Sequence, residues 1–465
     1  MLVRCSGGTD RKLLHIAELE VLMKKNCLLS MVVLFWAFWG VACPPPKGNV
    51  EYQKELFIHG LFDRSGPTAD VSTPYSQAII DFVNEINANG GINKHKLVFA
   101  WEDFKNDPQE ALKIYEKWKQ GPNWSKVAAI FGWGTEDSTL LNQKVAGDLL
   151  PYISASYSAS LSSPSDVKRE VELPDGSKFQ ANTKGAPYSF FPGTDSSTSI
   201  RLALKYVKES GGKRIGFVYC ATEDCKGPIP AGKTYAKSQS VDILPDLDIS
   251  LDANEADVAS KVEKYFQANP PAKGDWLWIG NTTRTAVLIT QAAAKFAPAV
   301  QLIANVWGFD ESIPERCKEA NGENRCEGRL FGLMPFAAFG DLNYPAMKEV
   351  VILHKKSREA AKEDVKLHRN VRYVQGYVSL LLWKAAVEQL FADELEITGY
   401  NIKRQLEKMR DFSTGGLTFP ISFTPSDHRP SKGTLIYNFV GGTLEYKTSV
   451  EFKPVPESWG DWLGW

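Results

Sequence analysis

An α/β fold of two parallel-sheet lobes is what the sequence predicts, and two observations carry it. Short apolar runs alternate with amphipathic stretches from Leu56 onward, and the same alternation restarts after "FFPGTDSS" at 190–197. Strands that alternate with helices imply parallel sheets with both faces covered. The length of 465 residues suits ~2 to 3 domains and a large buried core.

The first run, "LFIHGLF", reads as a strand, followed by a helix opened by Thr73 and Pro74. Its Ile79, Phe82, Val83 and Ile86 keep the helical period, and Gly90 and Gly91 stop it. The strand "KLVFAW" follows. Asp107, Pro108 and Glu110 then start the helix "PQEALKIYEKWKQ", ahead of the strand "KVAAIFG". In the second lobe the order is helix 198–209, strand "RIGFVY", helix near 232–240, strand near Leu247 and helix 254–268. Strand "WLWI", helix 283–296 and strand "QLIA" complete it. Helices return at 344–361, 370–391 and 399–410 before a Gly/Pro-rich ending.

Charge and cysteine content narrow the partners. Lys and Arg number 54 against 55 Asp and Glu, a net charge of -1, and no basic block would track a phosphate backbone, so nucleic acid is not an expected partner. The six histidines are scattered and no Cys-x-x-Cys occurs, so no metal site is expected.

Near the N-terminus, Met23, Lys24 and Lys25 precede an apolar run at 28–38, and Gly40 and Ala42 flank Val41. That is the layout of a secretory signal, and the run is short of the ~20 residues that span a bilayer. Residues 1–42 are therefore expected to be an N-terminal extension and signal peptide, with Met23 as the start. "GVAC" resembles a bacterial lipobox, so Cys43 is the expected lipid-bearing residue, with 43–54 as a stiff tether through "PPPKGN". Export then leaves Cys220, Cys225, Cys317 and Cys326 in two short-range pairs, which suits local disulfides in an oxidising compartment.

"GPIPAGKT" at 227–234 fits the spacing of a phosphate-binding loop, but Pro228 and Pro230 lack the N–H groups that cradle phosphate. Lys233 is expected to be a solvated helix residue. In open parallel sheets, ligands bind beyond the carboxyl ends of the strands. There the first lobe offers the hydroxyl-rich loops "DRSGPT", "GWGTEDST" and "SASYSAS", the second "CATEDCKGP", "GNTTRT" and "NVWGFD". Trp278, Trp307 and Tyr157 could wall a site, with core packing the other reading for Trp278. No spacing suggests a catalytic triad or an acid pair, so neither an enzyme nor a cofactor is expected.

These segments resemble the solute-binding proteins of branched-chain amino-acid (Leu/Ile/Val) ABC transporters. "SGPTADVSTPYSQAIIDFVNEINANGGINKHKLVFAWEDFKNDPQEAL", "AAIFGWGTEDST", "LLPYISASYSASL", "VQGYVSLLLWKAAVEQL" and "GGLTFPISFTPSDH" carry the likeness in that order. The resemblance implies a type I periplasmic-binding-protein architecture: two Rossmann-like lobes joined by three crossovers near Gly193, Pro335 and Thr424, closing by hinge motion. Lobe 1 would be 55–193 with 336–424, and lobe 2 would be 194–335 with 425–465. It implies ligand contacts at Val71, Thr135, Glu136, Ser156 and Ser158 from lobe 1, and Asn281, Trp307 and the 223–226 loop from lobe 2.

Trp307 stands where amino-acid binders of that family place an acid, and Glu136 falls in the loop that would hold a carboxylate. Such a carboxylate is repelled if Glu136 points inward, so amino acid, amide, amine and other small polar solutes all remain open. The implied partners are the solute, an ABC permease with its ATPase subunits, and a membrane reached through the lipid on Cys43. The implied location is the periplasm or outer face of a bacterial membrane. A ligand-sensing receptor of the same fold is the alternative function.

Overall fold

The computed structural model describes residues 52–452 apart from 174, 175, 177, 320 and 321. The expected signal run and Cys43 lie outside the described residues.

The first sheet has five parallel strands. In chain order they are β1 (Lys54–Phe62), β2 (His95–Asp103), β3 (Val127–Gly132), β4 (Tyr152–Ser154) and, after an antiparallel hairpin β5 (Val167–Glu172) and β6 (Lys178–Thr183), β7 (Ser189–Phe190). Their spatial order is β2-β1-β3-β4-β7. Helices α1 (Ala69–Ala88), α2 (Pro108–Lys119) and α3 (Thr135–Gly147) connect the early strands. Every residue of β3 is buried, which is why "VAAIFG" reads as an unbroken apolar run. β1 already begins at Lys54, inside the stretch expected to be tether.

The second sheet follows α4 (Ser196–Glu209) and contains β8 (Arg214–Tyr219), α5 (Ile229–Ser238), β9 (Asp242–Ile243), β10 (Leu247–Asp248) and α6 (Glu255–Ala268). It continues with β11 (Asp275–Ile279), α7 (Thr283–Phe296), β12 (Gln301–Ala304) and β13 (Leu330–Met334). The chain then supplies α8 (Met347–Ala361), α9 (Val371–Ala392) and α10 (Gly399–Leu406) before returning to this sheet as β14 (Gly433–Val440) and β15 (Thr443–Glu451). The order is β10-β8-β11-β12-β13-β14-β15, with β9 also on the edge of β8.

The last two strands are antiparallel, unlike the expected all-parallel sheet. A two-residue turn at Gly441 and Gly442, both at positive φ, lets the chain reverse there.

α1 starts earlier than its Thr73–Pro74 signal. Gly66 and Thr68 carbonyls accept the N–H groups of Ala69, Val71 and Ser72, so Pro74 lies inside the helix. The reason is tertiary: the Asp63 carboxylate holds the preceding loop, accepting from Gly66 N–H at 2.5 Å, Thr68 N–H at 2.8 Å and the Thr68 hydroxyl at 2.7 Å. The α2 start is as read, with Asp107 accepting from the Gln109 N–H at 2.9 Å.

α9 is buried almost all round and lies along α1. A Cβ on Gly376 would meet the Tyr75 carbonyl oxygen at 2.0 Å, so only glycine permits this approach. Phe82 stacks on Tyr377 with ring centroids 4.3 Å apart. Arg358 of α8 grips both Asp81 oxygens at 2.6 and 2.8 Å, and the Tyr373 hydroxyl donates to the same carboxylate at 2.8 Å, so one acid ties α1, α8 and α9.

Candidate functional site

In the first sheet the strand order reverses between β1 and β3, and in the second between β8 and β11. Such a reversal opens a crevice at the carboxyl ends of the two strands, because successive helices depart to opposite faces. Both crevices face one cleft. A cavity of about 40 Å³ lies between them.

From the first sheet it is lined by Thr68 and Val71 after β1, Trp133 and Thr135 after β3, and Ser156 and Tyr157 after β4. From the second come Cys225 after β8, Gly280 and Thr282 after β11, and Trp307 after β12. Among the described lining residues there is no Asp, Glu, Lys or Arg. The surface is hydroxyl, aromatic and backbone with the aliphatic side chains of Val71 and Leu251.

Each wall is held from behind. The Trp133 indole N–H donates to the Thr68 hydroxyl at 2.9 Å, so Asp63 positions Trp133 through Thr68. The Thr135 and Ser156 hydroxyls bond each other at 2.6 Å, which joins the ends of β3 and β4. Asn305 caps the turn at 306–308, its carboxamide oxygen accepting from Trp307 and Gly308 N–H at 3.0 Å. Its amide donates to the Gly280 carbonyl at 3.2 Å. The Trp307 ring therefore enters the cleft from a fixed backbone, stacked on Tyr157 at 5.3 Å and edge-on to Trp133 at 5.3 Å. The Arg372 guanidinium sits 5.1 Å from the Trp307 ring centroid, on the side of α9.

Four of the expected contacts, Val71, Thr135, Ser156 and Trp307, come together here. Three do not. Glu136 is exposed and does not line this cavity, because α3 turns its neighbour Thr135 inward. Asn281 is fully buried and donates to the Ile249 carbonyl at 2.7 Å, a structural tie between β10 and β11. Ser158 lines adjoining cavities instead. Trp278 is core, 1% exposed.

Thr68, Trp133 and Thr282 were missed as individual residues, although each sits in a loop after a strand end, which was the usable signal. Lys233 is not the solvated residue expected: it is 16% exposed and pairs with Asp246 at 2.8 Å. The cysteines are bonded as expected, Cys220 to Cys225 and Cys317 to Cys326, with Cα separations of 5.2 and 5.9 Å.

Glu311 follows Trp307 closely and binds across the cleft, accepting from the Val371 N–H at 2.7 Å and the Phe339 N–H at 2.5 Å. Burial, then the neighbouring Asp310, push its carboxyl from 4.5 up to about 7 against those hydrogen bonds. A raised acid favours the folded chain where it stays protonated. Its contribution is complete below about 4.5 and is lost as pH rises through about 7. Urea midpoints at pH 5 and 8 should therefore fall more steeply with pH in the wild type than in Glu311→Gln, and equal slopes would refute this.

The arrangement is a cleft between two α/β sheets whose described lining carries hydroxyl, aromatic and aliphatic groups. The chain belongs to the periplasmic binding protein family, whose model matches residues 56–443. An ABC transporter substrate-binding protein from Aeropyrum pernix is similar at 26% identity and a TM-score of 0.73, covering 88% of this chain and 98% of that one. A branched-chain amino acid ABC transporter protein from Thermus thermophilus, solved with valine, shares the fold at 16% identity and a TM-score of 0.70, covering 86% and 97%. So does a fatty acid ABC transporter substrate-binding protein from Thermomonospora curvata, at 17% and 0.70, covering 88% and 95%. No curated protein matches the chain.

Proposed function

We propose that the protein is the solute-binding component of an ABC import system, taking up a small, uncharged polar solute between its lobes and delivering it to a membrane permease and its ATPases. The observation that carries this is the meeting of both strand-order reversals on one cavity walled by aromatics and hydroxyls without a charged side chain. An ammonium or carboxylate would lose its hydration there with no opposite charge to replace it, whereas an amide or hydroxyl finds matching partners. The family, and the ABC transporter substrate-binding protein among the similar structures, support the transport reading.

The lobes are assigned as 55–193 with 336–424 and 194–335 with 425–465, the return of α8, α9 and α10 to pack on α1 and β3 between β13 and β14 supporting hinges near 193, 335 and 424. The exported location rests on the family and on the secretory layout of 1–42, and the lipid on Cys43 on its lipobox-like setting. Among the described residues no helix is long and apolar enough to cross a membrane.

Calorimetry with the solute that co-purifies tests the site. Ser156→Ala should weaken binding by ~0.5–1.5 kcal/mol, the worth of one neutral hydrogen bond. Glu136→Gln should leave affinity unchanged. A loss in the Glu136 variant matching that of Ser156→Ala would mean the solute is cationic and lies elsewhere in the cleft.

A further inference from the structure

One residue in the second-lobe wall of the aromatic cavity belongs to a covalently closed turn. Cys225 lines the cavity, and its sulfur is bonded to that of Cys220, the first residue after β8. Cys225 sits in the short helix Glu223–Lys226, which lies against α3 on the other side of the cleft. There Thr135 and Ser158 of the first lobe share a small cavity with Glu223 and Gly227 of the second.

The turn has little of its own to hold it in this place. A helix of four residues is too short to be stable in water by itself. Among the described residues its backbone bonds close within the turn: the Cys225 and Lys226 N–H groups donate to the Thr222 carbonyl at 3.1 and 3.0 Å, and Gly227 N–H to the Glu223 carbonyl at 2.9 Å. Lys226 pairs with Glu223 at 2.9 Å, but those side chains are 48% and 57% exposed, and so exposed a pair contributes little. The covalent bond ties the turn to the sheet instead. Cys220 and Cys225 are both buried, and the Cys225 carbonyl is seated beside Gly280, where a Cβ would come within 3.1 Å of its oxygen. Gly280 lines the same cavity.

We propose that the Cys220–Cys225 disulfide is a positioning element of the solute site: it pins Cys225 beside Gly280 as part of the cavity wall and holds the short helix that meets α3 across the cleft. This rests on the solute-binding reading above. Without the bond the sulfur of Cys225 remains, but the wall it belongs to is no longer fixed, and a solute held between the lobes pays to order it on binding.

Cys220→Ser on the full chain breaks the bond and leaves Cys225 in place, since Cys220 does not itself line the cavity. Cys220→Ser combined with Cys225→Ser takes its part should the lone thiol misfold by circular dichroism. Cys317→Ser combined with Cys326→Ser is the control, because it opens a loop of similarly short span whose cysteines do not line the cavity. Hydrogen exchange measured with no solute present should quicken at least ~10-fold in Cys220→Ser, at 220–228 and also in the facing walls at 135–139 and 280–284. The control should quicken 317–326 and leave both walls as in the wild type. Faster exchange confined to 220–228 overturns the proposal. Calorimetry with acetamide, N-acetylglycinamide and glycerol as neutral probes gives the second readout. Each probe that binds the wild type should lose at least ~10-fold in affinity in Cys220→Ser and stay within ~2-fold in the control, and equal affinities in the two variants overturn the proposal. If no probe binds the wild type, the solute-binding reading loses support, while the exchange at 135–139 and 280–284 still decides for or against the positioning role.

Discussion

Trp307→Ala weakens solute binding by about 2–4 kcal/mol, ~30- to 1,000-fold in Kd, while leaving the denaturation midpoint nearly unchanged. The size of the effect follows from where the ring sits. It is half-buried on a turn fixed by Asn305 and Thr283, and it closes the cavity against Tyr157 and Trp133. Removing it opens the cavity to water and takes away an aromatic wall, yet leaves the capped backbone intact. Trp307→Phe should recover much of the loss. Calorimetry with the co-purified solute measures both, and an alanine variant within ~2-fold of wild type would place the solute outside the aromatic cavity.

Asp81→Ala destabilises the fold by about 3–5 kcal/mol, because a buried guanidinium is left without its main counter-charge. Arg358 is 2% exposed in its side chain, and Asp81 is 5%. After the change, Arg358 keeps Glu363 at the surface and Tyr373 loses its acceptor. The paired replacement Asp81→Leu with Arg358→Met removes both charges together and should regain most of the loss. Urea denaturation at constant m-value reads both changes, and a loss below ~1 kcal/mol for Asp81→Ala would show that the tie between the three helices is not held by charge.

The sequence made the parallel strands and most helices legible because their signals are local. Buried strands such as 276–279 are unbroken apolar runs, and Asp107 and Asn254 cap helices within a few residues of themselves. Val71, Thr135, Ser156 and Trp307 were expected as contacts through the family resemblance, and all four line the cavity, three of them in loops that the strand ends also point to. Thr135 and Glu136, however, are adjacent on one helix, and only the docking of α3 decides which turns inward. The early start of α1 depends on Asp63 reaching forward to Gly66 and Thr68, a cap set by the end of a strand rather than by the helix's own residues. The β14–β15 hairpin did carry a local signal, Gly441-Gly442 between alternating strands, which the Gly/Pro-rich reading of that region passed over.

The return of α8, α9 and α10 to the first half of the molecule, between β13 and β14, has a consequence for how the molecule is made. The apolar face of α1 is synthesised early, but the helix that covers it, α9, comes only after nearly the whole second sheet, and that sheet in turn waits for β14 and β15. Neither half can finish as the chain emerges, so contacts between distant parts of the sequence dominate the folding barrier and apolar surface stays open meanwhile. A polypeptide of this order suits delivery across a membrane in an extended form, with assembly deferred until its last strands arrive.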